Sequence, residues 1–164
     1  MTVAEKNAII IGATSGIGKA LAELLIGNGY RVGITGRRSE LLDEFAQKHG
    51  GNAVCLLMDV DAPEKARDGL TGLIEKLGSV ELIILSAGTG FPNTELAWEP
   101  EAATIATNVT GFAALATAAM NYFLQRGSGH LVGISSIAAL RGNSDAPTYN
   151  ASKAFVSNYL EGLR

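Results

Sequence analysis

Tyr149 and Lys153 stand four residues apart in the segment Tyr149-Asn150-Ala151-Ser152-Lys153, shortly after Pro147. Proline suits the first turn of a helix, so a helix is expected to begin there, and on it residues i and i+4 share one face. A phenol can give or accept a proton, and a nearby ammonium favours its ionised form. At about 4 Å and an effective dielectric near 20 that preference is on the order of 4 kcal/mol before solvation and screening are discounted. The same YxxxK spacing also fits an ordinary pair on a helix surface. Ser136 shifts the balance: it follows the apolar run Leu131 to Ile134, where a hydroxyl at a strand end can hold a substrate oxygen beside the phenol. Alone, it would read as a turn or helix-cap residue.

A second group of residues is suited to phosphate. Gly12, Ala13, Thr14, Ser15, Gly16, Ile17 and Gly18 form a GxxxGxG pattern between an apolar run and a helical one. Glycines let the backbone approach a diphosphate, and the first N–H groups of the helix can face it. A tight turn needing glycine only for its backbone angles is the simpler alternative. At the end of the next apolar run stand Gly36, Arg37 and Arg38. A dinucleotide site often carries an acid there to hold the ribose hydroxyls, whereas arginine suits a 2′-phosphate. The reading is a preference for NADP over NAD, with Arg37 as main contact and Arg38 assisting. A solvated basic helix start would show the same residues.

These groups need elements that bring them to one place. Five short apolar runs, Ala8 to Ile11, Val32 to Thr35, Val54 to Met58, Leu82 to Leu85 and Leu131 to Ile134, read as strands buried on both faces. Segments of helical periodicity separate them. In the first, Ile17, Ala20, Leu21, Leu24 and Leu25 fall at helical spacing, with Gly27 and Gly29 supplying the stop. A later stripe holds Val109, Phe112, Ala113, Ala116, Ala119, Met120 and Phe123 and suits a core or a subunit interface. Strands alternating with helices indicate an α/β fold, a Rossmann-like doubly wound parallel sheet with five strands, and one domain over residues 1–164. In such a sheet ligands bind at the carboxyl ends of the strands. The glycines and polar residues indeed follow each run: Gly12 to Gly18, Gly36 to Arg38, Asp59, Ser86 to Gly90, and Ser135 with Ser136.

With 47% hydrophobic and 18% charged residues and a formal net charge of -3, the composition is that of a soluble globular domain. It gives no general electrostatic reason to bind nucleic acid or an anionic membrane. The lone Cys55 lies in an apolar run and reads as a small core residue. Apolar residues after the polar N-terminus are interrupted at Gly12, too early for a signal peptide or a span, and a cytoplasmic location is the default expectation. No metal site is expected.

Taken together, the motifs resemble the short-chain dehydrogenase/reductase family, in its single-domain branch with GxxxGxG and YxxxK. The resemblance covers the whole chain, adding Asp59-Val60 after the third run, Ala87-Gly88 after the fourth, and Asn108-Val109 in the long helix. It implies that Asp59 and Val60 hold the adenine, that Ala87 and Gly88 line the cofactor channel, and that Asn108 helps a water connect Lys153 to solvent. Tyr149, Ser136 and Lys153 would form the catalytic set for hydride transfer between NADP(H) and a carbonyl or secondary alcohol. Leu85-Ser86 replaces the pair of asparagines common before Ala-Gly in this family, and Ile11 replaces a frequent threonine. Relatives usually continue further, with more strands and a loop over the substrate, so the resemblance implies a domain truncated at its C-terminus, lacking the last strands of the family fold. Two other readings stay open: a catalytically inactive dinucleotide-binding fragment or regulatory module, and an interaction protein that associates through the helix of Asn108. Relatives assemble as homodimers or homotetramers, and the same is expected here.

Overall fold

The computed structural model describes residues 6–164. Five parallel strands, β1 (Lys6–Ile11), β2 (Tyr30–Gly36), β3 (Ala53–Leu57), β4 (Leu82–Leu85) and β5 (His130–Gly133), form one sheet in the order β3-β2-β1-β4-β5. The chain first winds outward through β2 and β3, then returns to pair β4 on the other side of β1. Strand order therefore reverses between β1 and β4, where a crevice opens at the carboxyl edge. Register brings those ends level: Ile11 is opposite both Thr35 and Leu85, and Leu85 is opposite Gly133. The residues that follow each strand thus emerge along one line.

Helices cover both faces. α1 (Gly16–Gly27) and α2 (Ser39–His49) lie on one side, against Ile10, Val32, Ile34 and Ile84. On the other side α3 (Pro63–Leu77), α5 (Phe112–Arg126) and α6 (Pro147–Gly162) pack with Ile9, Ile11, Ile83 and Leu85. Successive strand residues point to opposite faces, so Ile9, Ile10 and Ile11 serve two cores in turn. This is why β1, the middle strand, is an almost unbroken apolar run.

α4 (Trp98–Ile105), a wider turn over Ala106–Gly111, and α5 form one continuous rod, Trp98–Arg126. It is long and apolar enough to cross a bilayer, but Phe112, Leu115, Ala116, Ala119 and Phe123 are buried in the core beside α3 and β4. The wide turn holds the buried Asn108 and is a local π-type bulge of the kind that often marks a functional position.

Two expectations need correction. β3 and β5 are not buried on both faces: they are the sheet edges, half-buried, with Leu57 62% exposed. The first helix also turns a different face inward. Gly18 and Ala22 are buried with Leu21 and Leu25 packed alongside, whereas Ile17 and Leu24 are exposed. A Cβ on Gly18 would overlap the carbonyl oxygen of Gly12, so contact between helix and loop fixes the rotation. Cys55 is half-buried on the α1 and α2 side, and burial raises its thiol pKa.

Candidate active site

Along the carboxyl edge lies an open cavity of about 940 Å³, at the upper end of the size usual for small-molecule sites. Its floor is the loop between β1 and α1. Gly12 there has φ +84° and a Cβ would strike the backbone of Ala87 at 2.6 Å, so only glycine lets the β1 and β4 loops meet across the switch point. Thr14, Ser15, Gly16 and Ile17 line the cavity, and α1 begins at Gly16 with its unpaired N–H groups at that wall. No acidic residue occupies the first turn of α1, leaving the positive end of the helix dipole available to an anion. Gly18 lies outside the lining; its absent side chain lets α1 approach Gly12.

Beyond β2, Arg37 and Arg38 both line the cavity, but they are engaged differently. Arg38 folds over the glycine loop, donating to Thr14 Oγ1 at 2.8 Å and to Ser15 Oγ at 2.6 Å. Arg37 instead faces two carboxylates, 3.5 Å from Asp61 and 4.0 Å from Asp59. Asp61 in turn accepts from Thr107 Oγ1 at 2.6 Å. The two arginines thus differ in their surroundings: Arg38 rests its guanidinium on the glycine loop, while Arg37 has two acidic neighbours. Asp59 does not line the cavity; its Oδ1 accepts from the backbone N–H of Asp61, bracing the turn after β3. Val60 does line it, together with Met58, giving an apolar patch beside Arg37.

Ala87 and Gly88 continue the lining after β4, and Ser135 and Ser136 after β5. Ser136 caps a turn and stands at the cavity wall. Its Oγ accepts from the Ala138 N–H at 3.1 Å, capping the short 3-10 turn Ile137–Leu140, and the residue also faces the cavity. Accepting that bond leaves the hydroxyl proton free to be donated.

α6 carries Tyr149 and Lys153 to the same wall. Pro147 at its first position starts the helix, as the sequence indicates. Lys153 is buried, donates to the Ile134 carbonyl at 2.8 Å, and has its ammonium 5.8 Å from the centre of the Tyr149 ring. Burial lowers its pKa, because removal from water disfavours the charged form. The carbonyl bond and the cavity opening still hold the Nζ at the site.

Asn108 is buried and outside the cavity lining. Its Oδ1 accepts from Thr89 N at 2.8 Å, and its Nδ2 donates to Thr89 O at 2.7 Å and to Ser152 Oγ at 2.9 Å. Both amide hydrogens are spent, so the side chain clamps the β4 loop to α6, and water could only donate to its remaining lone pair. Ser152 passes the link on by donating to the Tyr149 carbonyl at 2.8 Å. Thr35 and Thr107 also line the cavity and carry no motif of their own. Only their position at strand ends or in the long helix could have suggested them.

The fold and site define a doubly wound α/β domain with a serine, tyrosine and lysine at one wall of its cavity. Residues 6–164 match the family described as short chain dehydrogenase, and the chain belongs to that family. An uncharacterized oxidoreductase of Myxococcus xanthus is 37% identical, the alignment covering 97% of this chain and 65% of that one. A variant of actinorhodin polyketide ketoreductase, solved with NADPH, superposes with a TM-score of 0.87 at 30% identity, over 97% of this chain and 64% of that one. The 3-ketoacyl-(acyl-carrier-protein) reductase of Brucella melitensis, solved with NADH, gives a TM-score of 0.89 at 25% identity, over 96% and 68% respectively. The chain thus spans about two thirds of the length of the relatives it matches.

Proposed function

We propose that this chain performs hydride transfer between NADP(H) and a small carbonyl compound or secondary alcohol. The observation that carries the reading is one cavity lined at once by the glycine loop, Arg38, Ser136, Tyr149 and Lys153. The residues present fit a dinucleotide: Thr14, Ser15 and the N-terminus of α1 offer donors for its phosphates, Val60 and Met58 offer an apolar face to its base, and Ala87 and Gly88 floor the channel. Arg38 is the principal ligand of a 2′-phosphate, with Arg37 secondary because of its two acidic neighbours.

When bound, the nicotinamide supplies or takes up the hydride. The protein does the rest. In the reducing direction Tyr149 gives its phenolic proton to the carbonyl oxygen as that oxygen gains charge, and Ser136 donates a hydrogen bond to the same oxygen. Lys153 holds positive charge beside the phenol and favours its ionised form as the proton leaves. Its ammonium is fixed by the Ile134 carbonyl, so no reorganisation is needed. Asn108 acts through position, keeping α6 and the β4 loop in register across the site.

Replacing Tyr149 with Phe leaves NADPH binding in place and removes turnover of a panel of ketones and aldehydes, followed at the nicotinamide absorbance. Full activity in Y149F would overturn the assignment. A second reading, binding without turnover, draws on the exposure of Phe91 in the lining and of Ile137 and Leu140 in the short turn after Ser136. NADPH binding with no oxidation by any carbonyl tested would favour it.

A further inference from the structure

We infer that Gly90, which no motif marks, is a positioning residue for Tyr149: the β4–α4 loop is a fixed wall whose bare backbone at Gly90 sets where the phenol ring stands. This rests on the proposed role of Tyr149. A Cβ built on Gly90 would overlap the ring, 2.9 Å from Cγ and 3.0 Å from Cε2 of Tyr149, and closer still to Cδ2. Those atoms belong to the rigid ring and to its root. They are not the loose end of a flexible side chain, so the overlap cannot be relieved cheaply.

Either the loop or the ring would have to give, and the loop is held on both sides of Gly90. On one side Asn108 grips Thr89 through both its N–H and its carbonyl. On the other, the buried Asn93 donates its backbone N–H to the Asp145 carbonyl at 2.7 Å, accepts from Ala97 N at 2.9 Å, and donates through Nδ2 to Ala97 O at 2.9 Å and Glu101 Oε1 at 2.6 Å. The Asp145 contact ties the loop to the segment that leads into α6. Moving the loop would break several of these bonds. Rotation about Cβ–Cγ leaves Cγ and the phenol oxygen on its axis in place, so the 2.9 Å contact with Cγ is relieved only by rotation about Cα–Cβ, which breaks none of these bonds, and the ring therefore yields there. Since the phenol oxygen is the side-chain atom farthest from Cα, a small rotation about Cα–Cβ moves it most. A displacement of about 1 Å at a reacting group can cost about a hundredfold in rate.

The test compares wild type with G90A, Y149A, G90A/Y149A and, as a control, G72A. Gly72 lies on α3 with open space where a methyl group would stand, so G72A leaves turnover unchanged. Thermal unfolding needs no activity: G90A should lower the melting temperature in the wild-type background and not in the Y149A background, since the clash requires the ring. Equal losses in both backgrounds would overturn the inference. In steady-state assays G90A should lower kcat by about a hundredfold with the NADPH dissociation constant within about threefold of wild type; unchanged kcat would overturn the positioning role even if the thermal coupling appears. Full activity in Y149F would instead refute the catalytic reading of the tyrosine while leaving the thermal cycle to judge the contact.

Discussion

Replacement of Arg38 by alanine tests the cofactor preference at its sharpest point. The guanidinium stands over the glycine loop, 2.8 Å from Thr14 Oγ1 and 2.6 Å from Ser15 Oγ, so its planar fork is already fixed where a 2′-phosphate would meet it. A hydrogen bond to a charged partner contributes about 1.5–3 kcal/mol. The site is open to water, so the two arms together are worth roughly 2–3 kcal/mol, less than the sum of two such bonds. With about 1.4 kcal/mol for each factor of ten, R38A should weaken NADPH about 30- to 150-fold. NADH lacks the phosphate and should lose no more than about threefold, which reflects only the lost bracing of Thr14 and Ser15. R37A should cost NADPH about fivefold, because its charge is already shared with Asp59 and Asp61. Calorimetric or fluorescence titration with each nucleotide, at one fixed ionic strength, reads these ratios directly. Equal losses for NADPH and NADH in R38A, or a larger NADPH loss in R37A than in R38A, would refute the reasoning.

Two further substitutions address what holds the site. K153M should abolish turnover, and urea denaturation from about pH 7 to about pH 10 should reveal the buried ammonium: burial holds its folded pKa below the ordinary lysine value of 10.5. Between the lowered value and 10.5 the unfolded chain holds a proton that the folded chain has released, so wild type should gain stability on K153M as pH rises through that window; a flat or falling difference would sink the idea. Y122F removes the phenol oxygen that accepts from the buried Val80 N–H at 2.9 Å, at the entry to β4. An orphaned buried donor costs about 1–3 kcal/mol, and a loss below about 0.5 kcal/mol by the same denaturation assay would show that water replaces it.

The parts of this protein that are legible in the sequence are those whose cause is local. β1 shows itself because Ala8 to Ile11 feed two cores in alternation, which demands an apolar residue at every step. α6 begins where Pro147 says it should, and the spacing of Tyr149 and Lys153 has meaning because both ride on that helix. What stays hidden depends on partners distant in the chain. β3 and β5 read like interior strands, since nothing in Val54 to Met58 or Leu131 to Ile134 says that no further strand pairs beside them in the described residues. Arg37 and Arg38 are chemically alike and adjacent. Their different duties come from Asp61 and Thr107, which belong to other elements. Asn108 is legible as a functional position but not as a clamp, because its partners Thr89 and Ser152 come from β4's loop and α6. Gly90 is the extreme case: a glycine in a loop suggests a turn, yet its φ is unexceptional and its need for a bare Cα arises wholly from the ring of Tyr149. The residues proposed for catalysis can therefore be picked out from spacing, while those proposed to aim them can be found only from contacts, and it is the latter that substitution should expose as losses of kcat without loss of cofactor.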